Sequence, residues 1–482
     1  MDSTENGECK SQVQDQTGGN RPPKDPGAPD RAAGPSMMER WNPRALFRLI
    51  WPLVIEQILA VTMGVADTVM ISSVGEHAVS GINIVDNINN LLIIAFIALS
   101  TGGAVVVSQY IGRRDHRNAA LAAKQLLYAV SIISLLILVF AFFFRRPIIR
   151  IVYGNMDTDV LEAAALYMMV TSLSYPFLAI YNANAALFRA VGNSKVTMRI
   201  ALLVNALNIG GNAFFIFVLH WGVLGAALST LISRALAAVI TLVLLYRGHG
   251  RPIRLEGLLK IRFLRPMLRS ILNVGIPSGL ESSMFMVGRL LTQRIFPVFG
   301  TAAMAGNAVA GVVNSFSFMP GSACGMALLT IVGQCVGAGD YGAARKQCER
   351  IMKITYAITA GLSLFIWIFR GPLIGIFSLS REAQDFGSIF LQIHCISMIL
   401  AWPLSFALPN ALRAAGDARY VMWVATISMW TLRVSMSYIL TFALGLGPLG
   451  VWLAMGCDFI GRGSFYLGRW LRGRWQGKRV IE

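Results

Sequence analysis

Charge is scarce in this chain. Asp, Glu, Lys and Arg together make up 14% of its 482 residues, against 55% hydrophobic. Long stretches carry no charge at all, as in LLYAVSIISLLILVFAFFF at 126–144. A run of that length crosses a hydrocarbon core as one helix. Cysteine is sparse too: Cys9, Cys324, Cys335, Cys348, Cys395 and Cys457 show neither CxxC nor metal-ligand spacing. They read as reduced, small apolar fillers, not as a disulfide framework or a zinc site. No Walker phosphate loop, HExxH pair, nucleophile elbow or paired catalytic acids occur, and the loops are too short for a nucleotide-binding domain. These absences argue against an enzyme and against transport driven by nucleotide hydrolysis. A resident cofactor is not expected.

What the chain does have is a polytopic pattern. A window of ~19 residues picks out about twelve apolar segments. They lie near 46–72, 80–108, 119–144, 163–184, 197–219 and 223–246, then 271–297, 305–333, 352–369, 388–409, 420–443 and 449–467. The expected fold is an all-α polytopic membrane protein. Residues 1–45, with RPPKDPGAPDRAAGP, read as a disordered tail and not as a cleavable signal. The basic excess of +18 is a topology signal. Most Lys and Arg fall on alternate loops, such as Arg113, Arg114 and Arg117, or Arg247, Arg251 and Arg254. SVGEHAVSG, HWGVLG, FGTAAMAG and LGLGPLG carry none. Both termini are therefore expected in the cytoplasm, with the chain in the plasma (inner) membrane, its partners the lipid bilayer and not nucleic acid.

The two halves repeat. Shifted by 225 positions, Pro52 meets Pro277, Glu56 meets Glu281, Asn89 meets Asn314, Gln109 meets Gln334, Gly112 meets Gly337 and Asp115 meets Asp340. After a slip of one, RAVG at 189–192 matches RAAG at 413–416. Six helices per half is an even number, so both halves have the same orientation and are related by a pseudo-twofold axis along the membrane normal. The expected organisation is an amino-terminal lobe (46–246), a basic linker (247–270), a carboxyl-terminal lobe (271–469) and a basic tail (470–482).

Asp67, in MGVADTVMISSVG, sits inside the first apolar segment, and no Lys or Arg lies between Arg48 and Arg113. A carboxylate at that depth costs roughly 2.5 to 3.5 kcal/mol on insertion scales and marks a functional candidate. Asn208 and Asn212 share one face of the fifth segment, and Ala226 and Thr230 one face of the sixth. Glu56 and Glu281 are equivalent in the two halves and are candidates to line a cavity and attract cations. Asp86, His394 and Met284 are further cavity candidates, though an interface acid, a satisfied buried histidine and core filling are the bland readings. Arg289, Arg294 and Arg433 are intramembrane bases expected to pair with acids such as Glu281 or Asp458. GSACG at 321–325 fits a close helix contact.

In VADTVMISSVG (65–75), TGGAVVVSQYIGRRD (101–115), GQCVGAGD (333–340) and the two RAxG turns, the chain resembles the multidrug and toxic compound extrusion (MATE) transporters. The resemblance covers nearly everything after the tail. It implies two lobes that export amphipathic, mostly cationic compounds in exchange for H⁺ or Na⁺. It also implies a cation site in the first lobe at Asp67, Asn208, Asn212, Ala226 and Thr230, with Na⁺ held by the side chains among them. Asn212 departs from the family pattern, where an acid is usual. The second-lobe ion site of another branch is not supported, because Phe285 stands where that branch has Glu. A monomer is expected. The rival reading within the superfamily, a lipid-linked oligosaccharide flippase, calls for more arginine in the central cavity. A membrane-embedded enzyme is the rival of a different class.

Overall fold

The computed structural model describes residues 36–154, 157–248, 253–255, 257, 262–377 and 379–481. They are helical almost throughout, with no strand among the described residues. After one helical turn, Met37–Arg40, twelve spans follow. In the first half α1 is Pro43–Ser72, α2 is Glu76–Gly112 and α3 is His116–Tyr153. α4 is broken into Thr158–Leu173 and Tyr175–Ala190, bent by 49°. α5, Ser194–Asn212, continues as a π-helix over Ala213–Val218, and α6 is Gly222–Tyr246. In the second half α7 is Arg265–Gln293, α8 is Gly300–Gly337 and α9 is Tyr341–Gly375. α10 runs Arg381–Leu400 and resumes, after a π-turn at Pro403–Ala407, as Leu408–Ala414. α11 begins as Ala418–Ser428 and carries π-helical stretches at Met429–Ser435 and Ile439–Ala443. α12 is Leu449–Leu471.

Local chemistry sets these boundaries. Asn42 caps α1 by accepting from the Ala45 amide at 2.9 Å, with Pro43 in the first turn. Asp115 and Asp340, partners in the repeat, cap α3 and α9 in the same way, at 3.0 and 2.8 Å. The break in α4 falls at Ser174, two residues before Pro176, whose ring cannot continue the helical hydrogen bonding. Pro297 lies in a 3₁₀ turn just beyond the end of α7. The apolar outer faces point away from any protein core. On α3, Leu136, Val139, Phe140 and Phe143 are each more than half exposed, which only lipid makes tolerable.

The repeat becomes a symmetric joint between the lobes. Gln109 on α2 donates to the Ala414 carbonyl at 2.8 Å, and its counterpart Gln334 on α8 donates to the Ala190 carbonyl at 2.8 Å. Any side chain at Gly112 would strike the Gln334 carbonyl oxygen, and any at Gly337 the Gln109 carbonyl oxygen. The glycines are thus what lets α2 and α8 cross so closely. This joint lies at the end of the bundle that carries the linker and both ends of the described chain.

Two expected boundaries shift, and the carboxyl-terminal tail is held against the helices. The first tail was placed to residue 45, yet Met37 and Trp41 are buried in the second lobe's core, and Gln347 Nε2 donates to the Trp41 carbonyl at 2.9 Å. Residues 1–35, expected to be disordered, lie outside the described residues. The linker was placed over 247–270, but α7 begins at Arg265, and Ile253 and Leu255 are buried in the first lobe's core. Arg251 and Lys260 of that linker lie outside the described residues. The carboxyl-terminal tail is packed: Trp475 stacks on Trp470, and the Val480 amide donates to Gln109 Oε1 at 2.9 Å.

Candidate functional site

α1 and α5 are joined along their length by polar contacts. Ser194 Oγ donates to the Leu49 carbonyl (2.7 Å), Thr197 Oγ1 to Glu56 Oε2 (2.8 Å) and Asn205 Nδ2 to the Leu59 carbonyl (2.7 Å). The last rung is Asn212 Nδ2 to Asp67 Oδ1, at 2.7 Å. These α5 residues recur at helical spacing, so one face of α5 reads the whole length of α1. Each such bond is worth about 0.6 kcal/mol on average in a bilayer, enough to fix register without locking the pair.

Asp67 is half-buried. Asp86 and Arg234 lie within its electrostatic reach. Asp86 on α2 is held only loosely, by Asn89 Nδ2 and Tyr167 Oη at 3.4 Å each. Arg234 on α6 donates to Ser174 Oγ at the α4 break, 2.8 Å away. This corner of the first lobe thus gathers two carboxylates against one guanidinium. Asn208 and Asn212 are both buried, and among the described residues the Asn212 amide oxygen and both the oxygen and the nitrogen of the Asn208 amide have no hydrogen-bond partner. Buried amide oxygens are normally satisfied, so two of them beside a carboxylate form an oxygen-rich corner that a small hard cation or a proton would complete.

The five expected site residues come to the α1–α5–α6 interface, though not as one closed cage. Among the described residues, Asp67–Asn212 is the one hydrogen bond among them that joins two different helices. Thr230 Oγ1 donates to the Ala226 carbonyl at 3.0 Å, and Ser229 Oγ to the Asn208 carbonyl at 2.8 Å, which leaves these backbone oxygens already engaged. Among the described residues, no group of three or more His, Cys, Asp or Glu side chains converges. Arg234 and Tyr167 were missed by sequence reasoning. Arg234 lies one turn beyond Thr230, and that spacing was the available signal.

The two glutamates are in ion pairs. Glu56 accepts from Arg189 Nη1 at 2.7 Å, and Glu281 takes Arg413 Nη2 on both its oxygens at 2.7 Å. Both arginines come from the RAxG turns, so the repeat conserves the pair as well as the acid. This corrects two expectations. Glu281 is held by Arg413 and not by Arg289 or Arg294, and neither glutamate is a free negative charge for a cationic substrate. The ion pairs flank a cavity of about 320 Å³ between the lobes, which Arg189, Arg413, Ser278, Asn410 and Thr330 help to line. Asp458 is paired with Arg433 as expected, at 3.8 Å, and also with Arg462 at 3.3 Å.

His394 is fully buried, its Nε2 is 2.8 Å from Ser317 Oγ, and its ring meets Trp452 edge-on. Met284 is half-buried and lines neither the cavity of about 320 Å³ between the lobes nor that of about 520 Å³ in the second lobe. Gly321 and Gly325 do make room for a neighbour: a side chain at Gly321 would strike the Trp402 ring, and one at Gly325 the Asn410 amide.

The family model described as MatE matches residues 52–214 and again 276–439, one match in each lobe. An uncharacterized transporter of Bacillus subtilis (strain 168), YisQ, is 30% identical over 437 residues, covering 89% of this chain and 94% of that one. A probable multidrug resistance protein, NorM, of Thermotoga maritima is 27% identical over 450 residues, covering 91% and 94%. Among solved structures, a MATE protein crystallised in the bent conformation superposes with a TM-score of 0.83 at 20% identity, covering 91% of this chain and 96% of that one. At that identity the likeness speaks for the twelve-helix, two-lobe fold.

Proposed function

The chain belongs to the MATE family, whose members are multi-pass membrane transporters and not enzymes, and from that premise we propose that it is a secondary active exporter. It moves amphipathic small molecules outward in exchange for an inward H⁺ or Na⁺ held at Asp67. The observation that carries this reading is the Asp67–Asn212 hydrogen bond beside the buried, unpartnered oxygens of Asn208 and Asn212. A single carboxylate backed by neutral amides binds a cation when the outer concentration is high and releases it when the environment changes.

The asymmetry of basic residues supports a cytoplasmic position for the end that carries the linker. The lobes are joined at that end by the paired Gln109 and Gln334 bonds, so the described state is closed toward the cytoplasm. The cationic preference implied by the family resemblance gains no support from Glu56 and Glu281, because both are in ion pairs. The test is export from proteoliposomes with Na⁺ and pH gradients imposed separately. One of the two gradients is expected to drive export, and export indifferent to both would overturn the antiport reading.

A further inference from the structure

The positions that the repeat makes equivalent to the first-lobe acidic cluster line a cavity in the second lobe, and that cavity carries the opposite charge. Shifted by 225, Asp67 falls on Thr292, Asp86 on Gly311, Asn89 on Asn314 and Arg234 on Phe459. All four second-lobe residues line a single cavity of about 520 Å³. That volume lies in the range of small-molecule sites. None of the charged residues of the first-lobe cluster survives in the second lobe. In their stead the cavity wall carries Arg289 from α7 and Arg433 from α11. The first lobe has Gly64 at the place of Arg289 and, within one residue, Asn208 at that of Arg433.

The positive charge is in surplus. Asp458 is fully buried and its Oδ2 is shared between Arg462 at 3.3 Å and Arg433 at 3.8 Å, while Oδ1 accepts from Ser428 at 2.6 Å. Glu281, the other acid nearby, is consumed by Arg413. Arg289 forms no ion pair among the described residues. Arg462 has a structural position, its guanidinium stacked 4.4 Å from the Phe406 ring centre. Arg433 sits over the Phe285 ring at 5.4 Å, and its Nε and Nη1, like Arg462 Nε, are buried with no hydrogen-bond partner among the described residues. A buried guanidinium with open donors is costly unless a planar acceptor arrives to fill them. Around the two arginines the wall is aromatic, with Phe285, Phe296, Phe318, Trp402 and Trp452. The cavity opens toward the cleft between the lobes, because Ser322 and Phe406 line both.

We propose that the second-lobe cavity binds an anionic amphiphile, its apolar body against the aromatic wall and its carboxylate, sulfonate or phosphate on Arg289 and Arg433. This rests on the exporter reading and gives it a substrate class. The two lobes then divide the work: the acidic cluster takes the driving cation and the basic cavity takes the cargo. A soluble anion and an anionic lipid head share this chemistry.

Three dyes with one ring system separate the possibilities: dansylglycine (anionic), dansylamide (neutral) and dansylcadaverine (cationic). Binding is read by fluorescence titration of the purified full chain in phosphatidylcholine nanodiscs, with no gradient present, so failure here is distinct from failure of antiport. Dansylglycine is expected to bind about tenfold tighter than dansylcadaverine. Arg289→Gln, a change at an exposed side chain with no ion pair, should weaken dansylglycine about tenfold and leave dansylamide within about twofold. Thr292→Asp, which restores the acid of the first lobe, should weaken dansylglycine further while strengthening dansylcadaverine. If phosphatidylglycerol in the nanodisc displaces dansylglycine in the wild type, the anion site stands with a lipid as its occupant. If it does not, the site stands with a soluble anion. Tighter binding of the cationic dye, or equal losses for all three dyes in Arg289→Gln, would overturn the proposal.

Discussion

Asp67 and Asn212 are where charge and amide meet, and their geometry defines what substitutions there should do. Asn212 donates through Nδ2 and leaves its oxygen unpartnered. Asn212→Asp puts a second carboxylate at 2.7 Å range from the first. Two like charges that close cannot both stay ionised without a cation between them. The variant is therefore expected to gain Na⁺ dependence, read as transport rate against Na⁺ concentration. An unchanged Na⁺ response would remove the metal from this site.

The glutamates show how far residue-level reading reaches. Their equivalence in the repeat was legible, since each lies four residues after a proline, but their partners were not. Arg189 and Arg413 are more than 130 positions away in sequence, and only the folded turn brings them in. Because both pairs have 2.7 Å contacts and similar burial, Glu56→Gln and Glu281→Gln should cost alike. Removing one member of such a pair strands a guanidinium and costs about 3 to 5 kcal/mol. Matched drops in the thermal unfolding midpoint of the two variants are expected; a drop confined to Glu56→Gln would show that its charge is the less compensated one.

Among the elements, α2 and α8 carry the joint. Their crossing depends on two glycines whose Cβ positions are filled by the other helix's backbone. Gly337→Ala should cost about 1 to 3 kcal/mol as overpacking and should hold the lobes apart at this end, with lower export at normal expression. Gly361→Ala on α9, where a Cβ would meet open space, is the control and should lose neither stability nor export. Equal behaviour of the two would show that the crossing is not under steric control. The glycines stood out in the sequence as repeat positions, but nothing in their spacing told that they face each other across the lobes. The number of spans was legible from hydropathy alone. The break in α10 falls at Pro403, a legible signal; those in α5 and α11 were not legible, because π-helical turns leave no compositional mark.

Across the whole molecule, two copies of one six-helix lobe have kept their joint and diverged in their pockets. Gln109 and Gln334 still make the same bond, while Asp67 and its counterpart Thr292 no longer share chemistry. On the proposed reading, that divergence would let one lobe take a cation while the other takes a different ligand. The sequence showed the first-lobe acid plainly, since an unpaired carboxylate at depth is rare. It hid the role of Arg289, which looked like a partner for Glu281, an acid that in the fold is taken by Arg413. The central claim is that the charge on Asp67 couples the gradient to export. Asp67→Asn keeps an oxygen that can accept from Asn212 and removes only the charge, so the protein should insert and fold normally. The direct measurement is dye export from proteoliposomes containing wild type or Asp67→Asn, under the gradient that drives the wild type. The account predicts that gradient-driven export is lost in the variant while dye binding persists. Normal export by a well-folded Asp67→Asn protein would contradict it.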